Sequence, residues 1–281
     1  RSTLFPYTTL FRSQPLVNTT LASIGAFGAE RAKPTAQMNA YRNVITTGVI
    51  AGNDGRKMSK SLGNYTSPDE LMDQYSADSL RFLLLASPLL NGEDYALLDK
   101  DVSDVARKLA MIWNMYDFFT MYAEVDEFTF PYDTVSSDAF IVRRVTDTAR
   151  SDAPESSIGT ENSFQISVDI DKLSNPLDRW IVSRVHQLTD HVAKFMNQYN
   201  IPDALSAVVP FIDDASNWYV RRSRRRFWKS EDDADKAQAY QTLHYVLVRL
   251  SLVLAPFTPF LAEELYRSEE HTSELQSPTS I

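Results

Sequence analysis

From about Asp101 onward, apolar side chains recur at intervals of three and four: Val105, Leu109, Ile112, Met115 or Tyr116, and Phe119. That spacing lines one stripe of a 3.6-residue helix, so most of the chain is committed to packed helices. A second stripe opens at "NPLDRW", where Asn175 and Pro176 begin a long helix carrying Trp180, Ile181, Val185, Leu188, Val192 and Phe195. Further helices are expected over roughly 203–228 and 235–254, followed by a short one capped by Thr258 and begun by Pro259. The longest apolar run, "LHYVLVRLSLVLAPF" at 243–257, is interrupted by Arg249 and falls short of the roughly 20 residues that a membrane span needs. It reads as a buried helix.

The chain before Asp101 has a different rhythm. Residues 41–50, "YRNVITTGVI", are rich in β-branched types and read as a strand running into the Asp54-Gly55 turn signal. The next helix is marked by "SPDE", in which Ser67 caps, Pro68 takes the first turn and Glu70 closes a capping box; its end is expected near Tyr75. Ser76 offers a second cap, for a helix whose apolar face is Leu80, Leu83, Leu84 and Leu85 and which Pro88 stops. Between about Glu124 and Ser174 the periodicity lapses into "SDAPESSIGTENS", a composition that suits an exposed loop or insertion.

The 281 residues carry 28 Lys and Arg against 37 Asp and Glu, a net charge of -9, so any basic surface must come from local clustering. With no cysteine and four scattered histidines, neither a disulfide nor a zinc site is expected, and a reduced cytoplasmic setting is favoured. Both ends stand apart: "TLFPYTTLFRS" (3–13) and "RSEEHTSELQS" (267–277) resemble translated adapter oligonucleotides of the kind used to build sequencing libraries. Segments 1–13 and 267–281 are therefore expected to be without function, and the chain to be a fragment of something longer.

Positive charge gathers in two places. The first is "NDGRKMSKSLGNY" at 53–65, a glycine-flanked turn in which Lys57 and Lys60 can place ammonium groups on phosphate oxygens while Ser59, Ser61 and backbone N–H groups add donors. Such a clamp suits a polyphosphate; the bland alternative is a solvated lysine turn. The second is "NWYVRRSRRRFWKS" at 217–230, where Arg221, Arg222, Arg224, Arg225, Arg226 and Lys229 lie among Trp218, Tyr219, Phe227 and Trp228. On a helix, 221, 224 and 225 align, as do 222, 226 and 229. A broad cationic surface with aromatic edges fits an RNA backbone and unpaired bases. Equally, the rings can be core and individual arginines can pair with carboxylates such as Asp213, Asp214 or Glu263.

The string "KMSKS" at 57–61, after a strand and before a capped helix, resembles the second ATP-binding motif of the class I aminoacyl-tRNA synthetases. The resemblance implies that Lys60 stabilises the pyrophosphate of magnesium-bound ATP while an amino acid attacks the α-phosphate. It implies too that Lys57 assists, that the backbone near Met58 lies beside the adenine, and that Ser59 and Ser61 complete the ATP site. If so, losing Lys60 costs on the order of 2.7–4 kcal/mol of barrier, by analogy with losing one preorganised donor.

"NPLDRWIVSR", "FIDDASNWYVRRSRRRFW" and "LAPFTPFLAEELY" are similar to the helical anticodon-binding region of the isoleucine-specific members of that family. The implied partners are tRNA(Ile), ATP and isoleucine, with no membrane, and Arg221, Arg222, Arg224, Arg225, Arg226, Trp228 and Lys229 are implied on the tRNA. Valyl, leucyl or methionyl members share the lysine loop, and a non-catalytic helical RNA-binding module remains a rival from another class. The family's His-x-Gly-His motif is not among His186, His191, His244 and His271, and the amino-acid pocket and editing domain precede the lysine loop in the family, so adenylate formation by this chain alone is not expected. The fold this implies is an α/β remnant of a Rossmann-type catalytic domain at 14–100, a connecting helix and loop-rich insertion at 101–174, and an α-helical anticodon-binding bundle at 175–266.

Overall fold

The computed structural model describes residues 46–59, 61–128, 139–145, 163–228 and 233–274. Strand β1 (Ile50–Ala51) leads into the lysine loop, and helices α1 (Pro68–Tyr75) and α2 (Ala77–Ala86) then return the chain to β2 (Tyr95–Ala96). The two strands pair in parallel, Ile50 with Tyr95 and Ala51 with Ala96, which only such a crossover allows. The strand expected over 41–50 is therefore much shorter where it is described; 41–45 lie outside the described residues. Just before Ile50 the amides turn elsewhere: Gly48 N–H donates to Leu89 O at 2.8 Å and Val49 N–H to the Asp94 carboxylate at 2.8 Å. Gly48 is obligatory there, since a Cβ would stand 1.8 Å from Glu93 O.

Pro68 opens α1 as expected, but the capping box does not form, because the Ser67 side chain makes no capping bond and Glu70 is exposed. Ser76 does cap α2: its hydroxyl accepts from Ser79 N–H at 3.2 Å. Helix α3 (Asp99–Val125) buries Val102, Leu109, Ile112, Met115, Phe119 and Ala123, close to the expected stripe. After it the expected loop proves to contain strands β3 (Phe140–Val145) and β4 (Ser163–Val168), antiparallel, with Phe140 opposite Val168. Their short apolar-rich runs, "FIVRRV" and "SFQISV", were hidden by the polar stretch between them, which lies outside the described residues.

Helix α4 (Pro176–Met196) starts where the sequence puts it, with Asn175 Oδ1 accepting from Leu177 N–H at 3.0 Å. The single helix expected over 203–228 is instead α5 (Ile201–Ser206), α6 (Val208–Asp213), a π-helical stretch at Asp214–Val220 and α7 (Arg221–Trp228). Pro210 explains the first break, because its ring collides with the carbonyl four residues back and α5 ends at Ser206. Helix α8 (Asp233–Leu254) is buried almost all round and runs through the middle of the bundle, and α9 (Pro259–Glu274) packs beside it, extending past the end expected at residue 266. No helix among the described residues is long and apolar enough to cross a membrane.

Two cores result. The larger joins α3, α4, α5, α6, α7, α8 and α9 around Ile112, Ile181, Phe211, Tyr245 and Leu250; the smaller, Leu71, Leu80, Leu97 and Val102, lies under the lysine loop with Met58 packed against it. Helix α2 faces both. Its Arg81 donates to the carbonyls of Phe257 and Pro256 at 3.1 and 3.0 Å, and its buried Asp78 accepts from Leu261 N–H at 2.6 Å in the first turn of α9. These bonds tie the β-α part to the bundle, with a cation on the carbonyls of the turn that follows α8 and an anion on the amides that begin α9.

Candidate functional site

The lysine loop leaves the carboxyl end of β1, and its shape is set by backbone and side-chain bonds that cross it. Gly55 N–H donates to Gly52 O at 2.9 Å in a turn that needs the positive φ of +73° at Gly55. Lys57 forms an antiparallel bridge with Ala51, which holds its backbone against the strand while the side chain stays exposed. Met58 is half-buried over the small core, Ser59 N–H is bonded at 3.0 Å to Asn64 Oδ1, and the Ser59 and Ser61 hydroxyls pair at 2.8 Å. Lys60 lies outside the described residues. The loop thus presents Lys57 and two linked hydroxyls on a cross-braced turn, the donor set that oxyanions of a phosphate chain require.

Sequence reasoning missed Asn64. Its Nδ2 donates to Asp54 Oδ1 at 2.8 Å, its Oδ1 accepts from Ser59, and its carbonyl accepts from Asn53 N–H at 3.1 Å. The only hint in the sequence is its place in "SLGNY", directly after Gly63, whose φ of +56° turns the chain back on itself. Asp54 sits well within the ionised range, its carboxyl held below the ordinary aspartate value by the Arg56 backbone N–H and then by the Asn64 amide.

The second cationic segment divides on folding. Arg221, Arg222, Arg224 and Arg225 are exposed, and none has a carboxylate within ion-pairing distance among the described residues. Arg222 stacks its guanidinium 4.5 Å from the centre of the Trp218 ring, and Arg224 lies 5.9 Å from that of Phe118. Arg226 turns inward, with its side chain 10% exposed, and departs from the expected RNA-facing set. Its guanidinium holds the Asp178 carboxylate by two bonds at 2.7 and 2.8 Å and the Asp235 carboxylate at 2.7 and 2.9 Å. Lys229 lies outside the described residues. The aromatics divide likewise: Tyr219 and Phe227 are buried, whereas Trp218 and Trp228 are 52% and 71% exposed.

The carboxylates expected to pair with the cluster are taken by other cations: Asp213 by Lys108 at 2.7 Å, Asp214 by Arg184 at 2.8 Å and Glu263 by Arg267 at 2.6 Å. Burial pushes the fully buried Asp178 carboxyl up, against the opposing pull of Arg226 and the Tyr219 hydroxyl at 2.9 Å. Burial works against the Arg226 cation too, but its bonds to Asp178 and then Asp235 outweigh that and raise its pKa. The π-helical stretch directly before α7 contributes both Trp218 to the surface and Tyr219 to this buried cluster. No group of three or more metal-binding side chains occurs among the described residues.

Two family models match. One, described as tRNA synthetases class I (I, L, M and V), covers residues 30–96; the other, described as the anticodon-binding domain of tRNA ligase, covers residues 178–281. The chain is 38% identical over 230 residues to the isoleucine–tRNA ligase of Treponema denticola, a match covering 82% of this chain and 19% of that protein. It is 41% identical over 230 residues to the isoleucine–tRNA ligase of Dehalococcoides mccartyi, covering 81% of this chain and 19% of that one. The chain therefore spans about a fifth of the length of the curated relatives it matches. Among solved structures, Mycobacterium tuberculosis methionyl-tRNA synthetase in complex with methionyl-adenylate shares the fold, with a TM-score of 0.52 at 20% identity, over 78% of this chain and 36% of that one.

The split of the arginines makes a stability prediction. Replacing Arg226 with Ala leaves Asp178 buried without its cation and is expected to destabilise the fold by about 3–5 kcal/mol. Arg224→Ala, on the exposed face, should stay within about 0.5 kcal/mol of the unmodified chain. Urea unfolding of the two variants measures the difference, and equal losses would contradict the assignment.

Proposed function

We propose that this chain, which belongs to the class I tRNA synthetases of the isoleucine, leucine, methionine and valine group, is the segment of an isoleucine–tRNA ligase that carries the lysine loop and the RNA-binding bundle. The observation that carries this is the identity of 38% over 230 residues with an isoleucine–tRNA ligase. A match of that length in a chain of 281 residues has to run through both the lysine loop and α7.

In this reading the whole enzyme joins isoleucine to ATP. The isoleucine carboxylate attacks the α-phosphorus, the bond to the bridging oxygen of the β-phosphate breaks, and pyrophosphate leaves with the displaced electron pair. Lys60, assisted by Lys57, neutralises the charge that grows on that leaving group, and donors that bind more tightly in the transition state than in the ground state are the ones that raise the rate. Ser59 and Ser61 supply hydroxyl donors and the Met58 backbone borders the adenine, while magnesium arrives with the ATP as part of the substrate. Isoleucine then passes to the 3′ end of tRNA(Ile), in the cytoplasm of the cell.

On the bundle, Arg221, Arg222, Arg224 and Arg225 face tRNA phosphates, Lys229 adds a further cation for them, and Trp218 and Trp228 offer faces for unpaired bases. Two features support this: these four arginines are exposed and held by no carboxylate among the described residues, and the Arg222 guanidinium lies over the Trp218 ring.

The test of the reading is a graft. Residues 46–266, placed in the Treponema denticola ligase instead of its matching segment, are expected to sustain isoleucine-dependent ATP–pyrophosphate exchange, and a folded graft without exchange overturns the assignment. For the bundle, changing Arg221, Arg222, Arg224 and Arg225 together to Gln should weaken tRNA binding by the chain. The slope of log K against log salt should then fall by about 0.7–0.9 for each phosphate that the variant no longer neutralises. An unchanged slope would remove these arginines from the interface.

A further inference from the structure

The lysine loop is stitched together by one side chain that none of the expected site residues accounts for. We propose that Asn64 is the positioning residue of the loop: by committing both halves of its amide within the loop, it fixes the turn that presents Lys57, Ser59 and Ser61 to the phosphates of ATP. This rests on the reading of the loop as an ATP site and adds to it the residue that sets the loop's shape.

The geometry carries the inference from three directions. First, Asn64 joins the two arms of the loop. Its Oδ1 takes Ser59 N–H from the returning arm at 3.0 Å, and its Nδ2 reaches Asp54 Oδ1 on the outgoing arm at 2.8 Å, with longer approaches to the carbonyls of Arg56 and Lys57 at 3.5 and 3.4 Å. Second, Asp54 passes the constraint on, because the same Oδ1 accepts Arg56 N–H at 3.0 Å, the residue next to Lys57. Third, the backbone is shaped to let Asn64 in. A Cβ at Gly52 would stand 2.0 Å from the Asn64 carbonyl oxygen and 3.0 Å from its Cγ, so the approach requires glycine at that position.

An amide is the group this place requires. One terminal atom accepts from the Ser59 N–H while the other donates to an ionised carboxylate, and a carboxylate of the same shape has no donor for the second bond. Loops that order themselves before binding do not charge the ligand for that ordering, so the loss of Asn64 should appear in the use of ATP and not in the use of isoleucine.

The pair also allows a chemical swap. Asn64→Asp alone sets two carboxylates against each other and removes the donor. Adding Asp54→Asn puts the donor back from the other side: an asparagine at 54 can accept from Arg56 N–H and donate to a carboxylate at 64, which still accepts from Ser59 N–H.

The experiment has two arms. In the chain itself, hydrogen exchange at the Ser59 and Arg56 amides is expected to quicken at least tenfold in Asn64→Asp and to return to within threefold in Asp54→Asn/Asn64→Asp, with helix α8 amides unchanged throughout. In the grafted ligase, kcat/KM for ATP should fall about tenfold in Asn64→Asp and recover in the double variant, while KM for isoleucine holds. Unaltered amide exchange in Asn64→Asp, or a swap that restores neither amide protection nor ATP kinetics, overturns the proposal. An unmodified graft that shows no exchange activity counts against the functional reading only, and the amide arm then decides the role of Asn64 within the loop.

Discussion

A cation of this protein that is to meet an anionic ligand has to escape the chain's own carboxylates. At a net charge of -9, an arginine or lysine is available to an anionic ligand only where the fold keeps Asp and Glu away from it or gives them other partners. The buried pair between Arg226 and Asp178 is the interaction on which that sorting turns. It pins the end of α7 into the bundle, while the four other arginines of the helix lie on the outer surface. Lys108 and Arg184 complete the arrangement by occupying Asp213 and Asp214, two carboxylates that precede the cluster in the chain.

The lysine loop meets the same requirement by other means. It hangs from the end of a parallel strand pair, where backbone groups no longer belong to a ladder, and its one anionic side chain, Asp54, is engaged by Arg56 N–H and Asn64. Lys57 is left pointing outward from a backbone already bridged to Ala51. A polyphosphate arriving there meets donors whose positions are set. Arg81 and Asp78 on α2 connect this region to the α8–α9 turn, so loop and cationic helix belong to one packed body and not to two domains on a tether.

Much of this was legible in the residues alone, for identifiable reasons. Long helices declare themselves by repetition, and α3, α4 and α8 begin and end near where their stripes and caps indicate. The lysine string was legible because its chemistry is carried by side-chain type in a contiguous run. What stayed hidden depends on long-range partners. The β3–β4 hairpin is two six-residue runs separated by a polar stretch, and its pairing leaves no periodic signature long enough to read. The inward turn of Arg226 depends on Asp178, 48 residues earlier, and on a π-helical stretch that shifts the register of α7, neither of which a helical wheel contains. Asn64 was overlooked because its role lies in bonds across a turn.

The central claim is that the loop's ammonium groups act on the leaving pyrophosphate and not on ATP at rest. Single-turnover formation of isoleucyl-adenylate by the grafted ligase, with and without Lys60→Ala, tests it most directly. The account predicts that the chemical step slows by about 10²–10³ while the dissociation constant for ATP changes little. An unaltered rate of adenylate formation, or a loss confined to ATP binding, would contradict it.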